Sequence, residues 1–154
     1  MNTNLNNRNI NKTYTGNSEK ISVIIVDDNE KVIENIDSAL SKDTAIQIIG
    51  KAKNGQEAYE LIRKSTPDVV ILDLIMPKMD GFEVLNVMER KHLIEDIPVI
   101  MISSEDSDVY VRRAYELGVS DYISRPFDAK VVYQRVFNTI KLYAKQRRLS
   151  ALIG

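Results

Sequence analysis

The 154-residue chain contains no cysteine. That absence excludes disulfides, thiolate catalysis and sulfur-ligated metals together; it suits a reducing compartment, and the cytoplasm is the expected location. Neither sign of charge predominates: 21 Lys and Arg stand against 22 Asp and Glu, for a net charge of -1. Nothing in that balance argues for wrapping nucleic acid or coating an anionic membrane, so specificity has to come from local sites. No apolar run reaches the roughly 18 to 20 residues that a membrane span requires. The Asn-rich start also lacks the basic-then-apolar order of a secretion signal. The single histidine, His92, sits in a polar helix-end stretch and reads as a surface residue rather than a ligand.

The length fits one α/β domain with a core large enough to fold alone. Residues 1–20 are rich in Asn, Thr, Lys and Ser, bury too little to offset the entropy of ordering, and read as a flexible tail. From Ile21 the texture changes. Short apolar runs, ISVIIV, IQIIGKA, DVVILD, PVIMIS and DYIS, alternate with longer segments of helical periodicity. Continuous rather than alternating apolar strands indicate burial on both faces, as in a parallel sheet covered by helices.

Helix punctuation supports the same layout. Asn29 is placed to cap a first helix with Val32, Ile33, Ile36 and Leu40 on one face, and Asn54 with Glu57 to cap a second that buries Ala58, Leu61 and Ile62. A third follows Asp80-Gly81 and is expected to bury Phe82, Leu85 and Met88; a fourth ends at Gly118; a fifth starts after Pro126 and runs long. Five such units predict an α/β fold of the flavodoxin-like kind. It is a doubly wound five-stranded parallel sheet of order 2-1-3-4-5 with helices on both faces, and ligands bind where the strand order reverses.

At the carboxyl ends of these runs stand polar groups. Asp27 and Asp28 follow VIIV, Asp73 follows VVIL, Ser103 and Ser104 follow VIMI, and Arg125 follows YIS. The fold brings those ends to one rim. Three clustered carboxylates repel one another unless a hard cation neutralises them, and an oxygen-only donor set favours Mg²⁺. A carboxylate on such an ion is a competent nucleophile towards phosphorus. Taken singly these residues have plainer readings: an Asp at a strand end is common turn or cap chemistry, Ser103 and Ser104 are turn hydroxyls, and Tyr122 is an edge-strand aromatic.

Four motifs in order, VDDN at Asp27 and Asp28, ILDLIMPKMDG around Asp73, PVIMIS ending in Ser103, and DYISRPF around Arg125, decide between these readings. Over roughly Ile21 to Leu142 the sequence resembles the receiver domain of bacterial two-component response regulators. The resemblance implies that Asp73 is the phosphoacceptor and that Asp28 and the Ile75 main-chain carbonyl bind Mg²⁺ directly. It implies that Asp27 acts mostly through water, that Ser103 and Tyr122 hold the switch positions, and that the Arg125-Pro126 peptide is cis. The donor would be a phosphohistidine on a sensor histidine kinase or phosphotransfer protein, so the domain would modify itself rather than turn over a metabolite.

One residue departs from the pattern: Arg125 stands where the family usually has Lys, a planar fork in place of a compact point charge. Arg125 is expected to reach a phosphoryl oxygen. Its presence also keeps open an alternative, a receiver-like interaction module that works without phosphate. An FMN module is disfavoured by two carboxylates after the first strand, and an aspartyl phosphohydrolase by Ile75, which cannot move protons where that chemistry needs an acid. Asp108, Arg112, Arg113 and Glu116 read as a solvated helix face, with a homodimer surface as the alternative. Residues 21–142 are thus expected to be the receiver. Residues 143–154, with Leu149, Leu152 and Ile153 as a late apolar patch after Lys141, Lys145, Arg147 and Arg148, are expected to be a helical extension or linker. That segment resembles the linkers that join receivers to cyclic-dinucleotide enzymes, particularly HD-type phosphohydrolase domains.

Overall fold

The computed structural model describes residues 20–76, 78–104 and 107–153, with side chains as far as Tyr143. The expected tail before Lys20, and the side chains of Leu149, Leu152 and Ile153, lie outside the described part. Five strands form one parallel sheet in the order β2-β1-β3-β4-β5. They are β1 (Ile21–Val26), β2 (Ile46–Ala52), β3 (Val69–Asp73), β4 (Val99–Ser103) and β5 (Asp121–Ser124). Between and after them run α1 (Glu30–Leu40), α2 (Gly55–Ser65), α3 (Gly81–Arg90), α4 (Asp108–Glu116) and α5 (Ala129–Ile153).

Side-chain alternation along the buried strands feeds two separate cores. Ile24, Val26, Val70, Leu72 and Met101 point to the face covered by Ala58 and Ile62 of α2, Val84, Leu85 and Met88 of α3, and Ala114 of α4. Val23, Ile25, Ile71, Ile100 and Ile102 point to the other, covered by Ile33, Ile36 and Leu40 of α1 and Val132, Val136 and Ile140 of α5. Every residue of β3 and β4 is buried, which explains why those runs are apolar without alternation.

The caps form as the sequence suggests. Asn29 accepts from the Lys31 amide at 2.9 Å, Asn54 from the Glu57 amide at 2.9 Å, and Asp80 with Glu83 makes a reciprocal capping box. Gly118, just past α4, adopts φ +104°, a conformation that side chains disfavour. Two expectations about burial need correction. Phe82 is only half-buried, because it turns towards α4 and stacks on Tyr110 with ring centroids 6.0 Å apart; Val84 takes the core position on α3. Leu61 is likewise half-buried beside the core rather than inside it.

Helix α4 is the least embedded, with Ala114 its one buried residue and Val109 69% exposed. Helix α5 is the longest, and near its middle the Tyr143 hydroxyl donates to the Glu95 carbonyl in the segment between α3 and β4. Among the described residues no helix is long and apolar enough to cross a membrane.

Candidate functional site

Strand β1 ends at Val26, so Asp27 and Asp28 occupy the next two positions at the carboxyl edge of the sheet, beside Asp73 at the end of β3. One carboxylate oxygen from each of the three lies within 4.8 Å of the others. Asp27 is buried, Asp73 is 6% exposed, and Asp28 is exposed. The sheet order that the apolar runs predict therefore assembles the acidic trio. An all-oxygen set of this kind suits a hard divalent cation.

The loop that follows β3 is closed by the Gly81 amide donating to the Leu74 carbonyl at 2.7 Å. A Cβ at residue 81 would lie 2.7 Å from the Asp73 carbonyl oxygen and 2.9 Å from the Leu74 Cα, so only glycine lets α3 begin this close behind the carboxylate. Ile75 lies in this loop with its side chain 56% exposed. Ser103 ends β4 and is buried, and its carbonyl accepts from the Arg125 amide at 2.8 Å, which ties the fourth strand end to the fifth. Ser104, next in sequence, is exposed. Tyr122 is half-buried on the edge strand β5, packed against the core that α2, α3 and α4 cover.

Arg125 completes the rim. Its peptide bond to Pro126 is cis, as the resemblance implies. The guanidinium lies 5.6 Å from the centroid of the Phe127 ring, donates to Asp27 Oδ2, and approaches Asp73 Oδ1 at 3.3 Å. The other oxygen of Asp27, Oδ1, accepts from the Asn29 amide at 2.8 Å. Asp27 thus has both oxygens engaged.

The electrostatics follow from this crowding. Burial, then the Asp27 charge, pushes the Asp73 carboxyl up to about 7, against the pull of Arg125, with Asp28 adding to the rise. Burial opposes the charge on Arg125 too, but its bonds and attraction to Asp27 and Asp73 outweigh that and raise it above its ordinary value. The cleft is short of positive charge, and one arginine makes up part of the deficit.

Sequence reasoning placed every strand-end residue on this rim and missed two supports. Phe127, 5.6 Å from the guanidinium, and Gly81, close behind the Asp73 carbonyl, both act through contacts that no local pattern reveals, although Gly81 follows an Asp in a turn signature. His92 is exposed, as expected, 3.2 Å from Glu95. Of the charges on α4, Arg113 is not merely solvated, because its guanidinium lies 5.3 Å from the Phe82 ring centroid.

Residues 23–137 match the family described as response regulator receiver domain. Over 140 residues the chain is 33% identical to a protein-glutamate methylesterase/protein-glutamine glutaminase of Treponema pallidum (strain Nichols). That alignment takes in 86% of this chain and 34% of the relative, so the chain spans about a third of the relative's length. Among solved structures, the signal receiver domain of the putative response regulator NarL from Mycobacterium tuberculosis superposes with TM-score 0.75 at 30% identity, covering 80% of this chain and 98% of that one. A chain of the CheX-CheY-BeF3-Mg²⁺ complex from Borrelia burgdorferi superposes with TM-score 0.73 at 29% identity, covering 84% and 96%. A sheet of order 2-1-3-4-5 with an acidic trio at its switch point, matched over three quarters of its length, makes this chain a member of the response regulator receiver domain family of two-component signalling.

Proposed function

We propose that Asp73 accepts a phosphoryl group from a phosphohistidine on a sensor histidine kinase or phosphotransfer protein, with Mg²⁺ as the required cofactor, in the cytoplasm. The observation that carries this reading is the convergence of three carboxylates within 4.8 Å, one of them buried at the end of a central strand with its protonation pushed up to about 7. Such a group is held ready for a cation that lets it act as an anionic nucleophile. Asp28, Asp73 and the Ile75 main-chain carbonyl would hold the ion, and Asp27 would reach it through water. When bound, the ion screens the carboxylates and offsets charge on the equatorial phosphoryl oxygens.

The chain's own residues do the rest. An Asp73 oxygen bonds to phosphorus as the P–N bond to imidazole breaks, and the imidazole keeps the electron pair. Ser103, buried one strand away, would hydrogen-bond the new phosphoryl group, and Tyr122 would repack on β5, altering the surface beside α4. The weak embedding of α4 supports that step, because an element with one buried residue moves at low cost. We read residues 143–154 as a connector. The continuous helix to Ile153, and a relative three times as long as the match, support an attached effector, for which a cyclic-dinucleotide or HD-type phosphohydrolase domain is the proposed class.

Intact-mass spectrometry with a small phosphodonor tests the central claim. One phosphate adduct is expected with Mg²⁺; an adduct that survives Asp73→Ala, or forms equally in excess EDTA, overturns it. A phosphate-independent interaction module is favoured by one observation, that Arg125 is engaged by Asp27 and Asp73. A beryllofluoride titration followed by NMR separates the readings: shifts at Ser103 and Tyr122 support the acceptor, and none supports the alternative.

A further inference from the structure

We propose that the amino-terminal half of α4 is a hinged flap, held shut on α3 by a latch of Phe82, Tyr110 and Arg113. The inference goes beyond the acceptor reading and does not depend on it, since all three residues lie outside the acidic cleft. It begins from what anchors α4. Nine residues are too few to stay helical unaided in water, so this helix persists by its packing. That packing lies at one end. Ala114 is the one buried residue of α4, and Leu117, just past the helix, is half-buried against the same core. Gly118 follows at φ +104°, so the seated end of the helix adjoins a hinge that glycine alone enters freely.

The other end has no such seat. Val109 is 69% exposed and Tyr110 40%, and the N-cap Ser107 makes no side-chain cap bond among the described residues. What this end has instead is Phe82. Tyr110 lies parallel to that ring, with centroids 6.0 Å apart and planes 2° from parallel, which is an offset stack. Arg113 puts its guanidinium 5.3 Å from the centroid of the same ring. Tyr110 and Arg113 stand three residues apart and so share one face of α4, as gripping a single ring requires.

The two sides of this seam differ in rigidity. Phe82 is the second residue of α3, a helix that buries Val84, Leu85 and Met88 completely and starts at a capping box. Before it, Gly81 is wedged so closely behind β3 that an added Cβ would lie 2.7 Å from the Asp73 carbonyl oxygen. The ring is therefore a fixed post and α4 the moving leaf. An opening about Gly118 breaks the stack and the cation contact together and uncovers Phe82, while the end held by Ala114 stays seated. One aromatic pair and one exposed cation contact are weak enough to open without unfolding the sheet. The latch also connects α4 to the strand end that carries Asp73 along α3, a route separate from Ser103 and Tyr122.

The test is amide hydrogen exchange of the full chain by ¹⁵N NMR, in EDTA at fixed pH, on the unaltered protein, Phe82→Leu, Tyr110→Leu, Tyr110→Phe and the double variant Phe82→Leu/Tyr110→Leu. In the unaltered protein the amides of residues 111–114 should exchange by local opening, well ahead of those in the core helix α3, and ring protons of Phe82 and Tyr110 should show mutual NOEs. Phe82→Leu and Tyr110→Leu each keep an apolar side chain but lose a ring, and each should speed exchange at residues 111–114 roughly three- to tenfold with α3 unchanged. The double variant should do little more than either alone, because both remove the same contact. Tyr110→Phe, which keeps the ring, should behave as the unaltered protein. Exchange at residues 111–114 that occurs only with the core in the unaltered protein, absence of the ring NOEs, or unchanged exchange in Phe82→Leu overturns the latch. So does an equal acceleration of α4 and α3, an additive double variant, or a Tyr110→Phe as damaging as Tyr110→Leu.

Discussion

Strand β3 is bounded by two buried acids that meet opposite fates. Asp68, just before the strand, is 2% exposed and accepts from the Ser22 amide at 2.8 Å and the Ser22 hydroxyl at 3.0 Å, while its own amide donates to Ser22 on β1. Asp73, at the other end, is 6% exposed but faces Asp27 and Asp28, and its neutral form is favoured up to about 7. Burial alone therefore does not make a carboxylate reactive. At the amino edge neutral donors absorb the charge and staple β1 to β3. At the carboxyl edge like charges are gathered, and Arg125 offsets only part of them.

The largest effect expected from breaking that contrast is at the stapled end. Asp68→Ala should cost about 2–4 kcal/mol in urea unfolding, because Ser22 loses a buried acceptor, whereas Asp68→Asn, which keeps one acceptor oxygen, should cost about half as much. A loss under about 0.5 kcal/mol would make the two ends equivalent.

At the charged end the sign reverses. Asp73→Asn should stabilise the chain in EDTA at pH 8 by about 1–2 kcal/mol, since an amide ends the repulsion. The folded form of Asp73 holds its proton up to about 7, above the ordinary 3.8, so the folded state binds more protons between those values. Its contribution to stability is thus fully present below about pH 4 and lost as pH rises through 7. In EDTA the unaltered chain should weaken across that window on this group's account, and Asp73→Asn should flatten the slope; parallel pH profiles for the two would contradict the assignment.

The smallest effect concerns Ile75. Its half-exposed side chain, two residues past Asp73, offers no hydrogen bond to a hydrolytic water, so Ile75→Asn should shorten the lifetime of the proposed aspartyl phosphate several-fold, by about 1 kcal/mol in barrier, with unchanged folding stability. Decay followed by intact mass checks it, and an equal or longer lifetime argues against shielding.

Much of this was legible in the sequence for a physical reason. Buried parallel strands need apolar residues at every position, so the first polar group after each run marks a strand end, and Asp27, Asp73, Ser103 and Arg125 could all be placed on one rim. What escaped were contacts made across the chain. The bond from Arg125 to Asp27, 98 positions away, was not foreseen, because a sequence shows a cation without its nearest anion. Phe82 was assigned to the core by its spacing, yet Tyr110 on another helix offered a flat partner outside it. Asp68 carried no signal at all, as an acid before a strand reads as turn chemistry until Ser22 is seen beside it.

The Tyr143 to Glu95 contact gives α5 the geometry of a lever. Up to Ile140 the helix is bedded on the sheet; Tyr143 then fixes it to the segment between α3 and β4, and about ten residues continue to Ile153, an arm of ~15 Å at 1.5 Å per residue. The same segment carries Ile94, whose side chain lies 3.2 Å from where a Cβ on Gly118 would sit, directly behind α4. The fulcrum thus adjoins the turn that follows α4, the helix with the least anchorage. A tilt of about ten degrees there would carry the far end of the arm some 3 Å, roughly half the pitch of a helical turn.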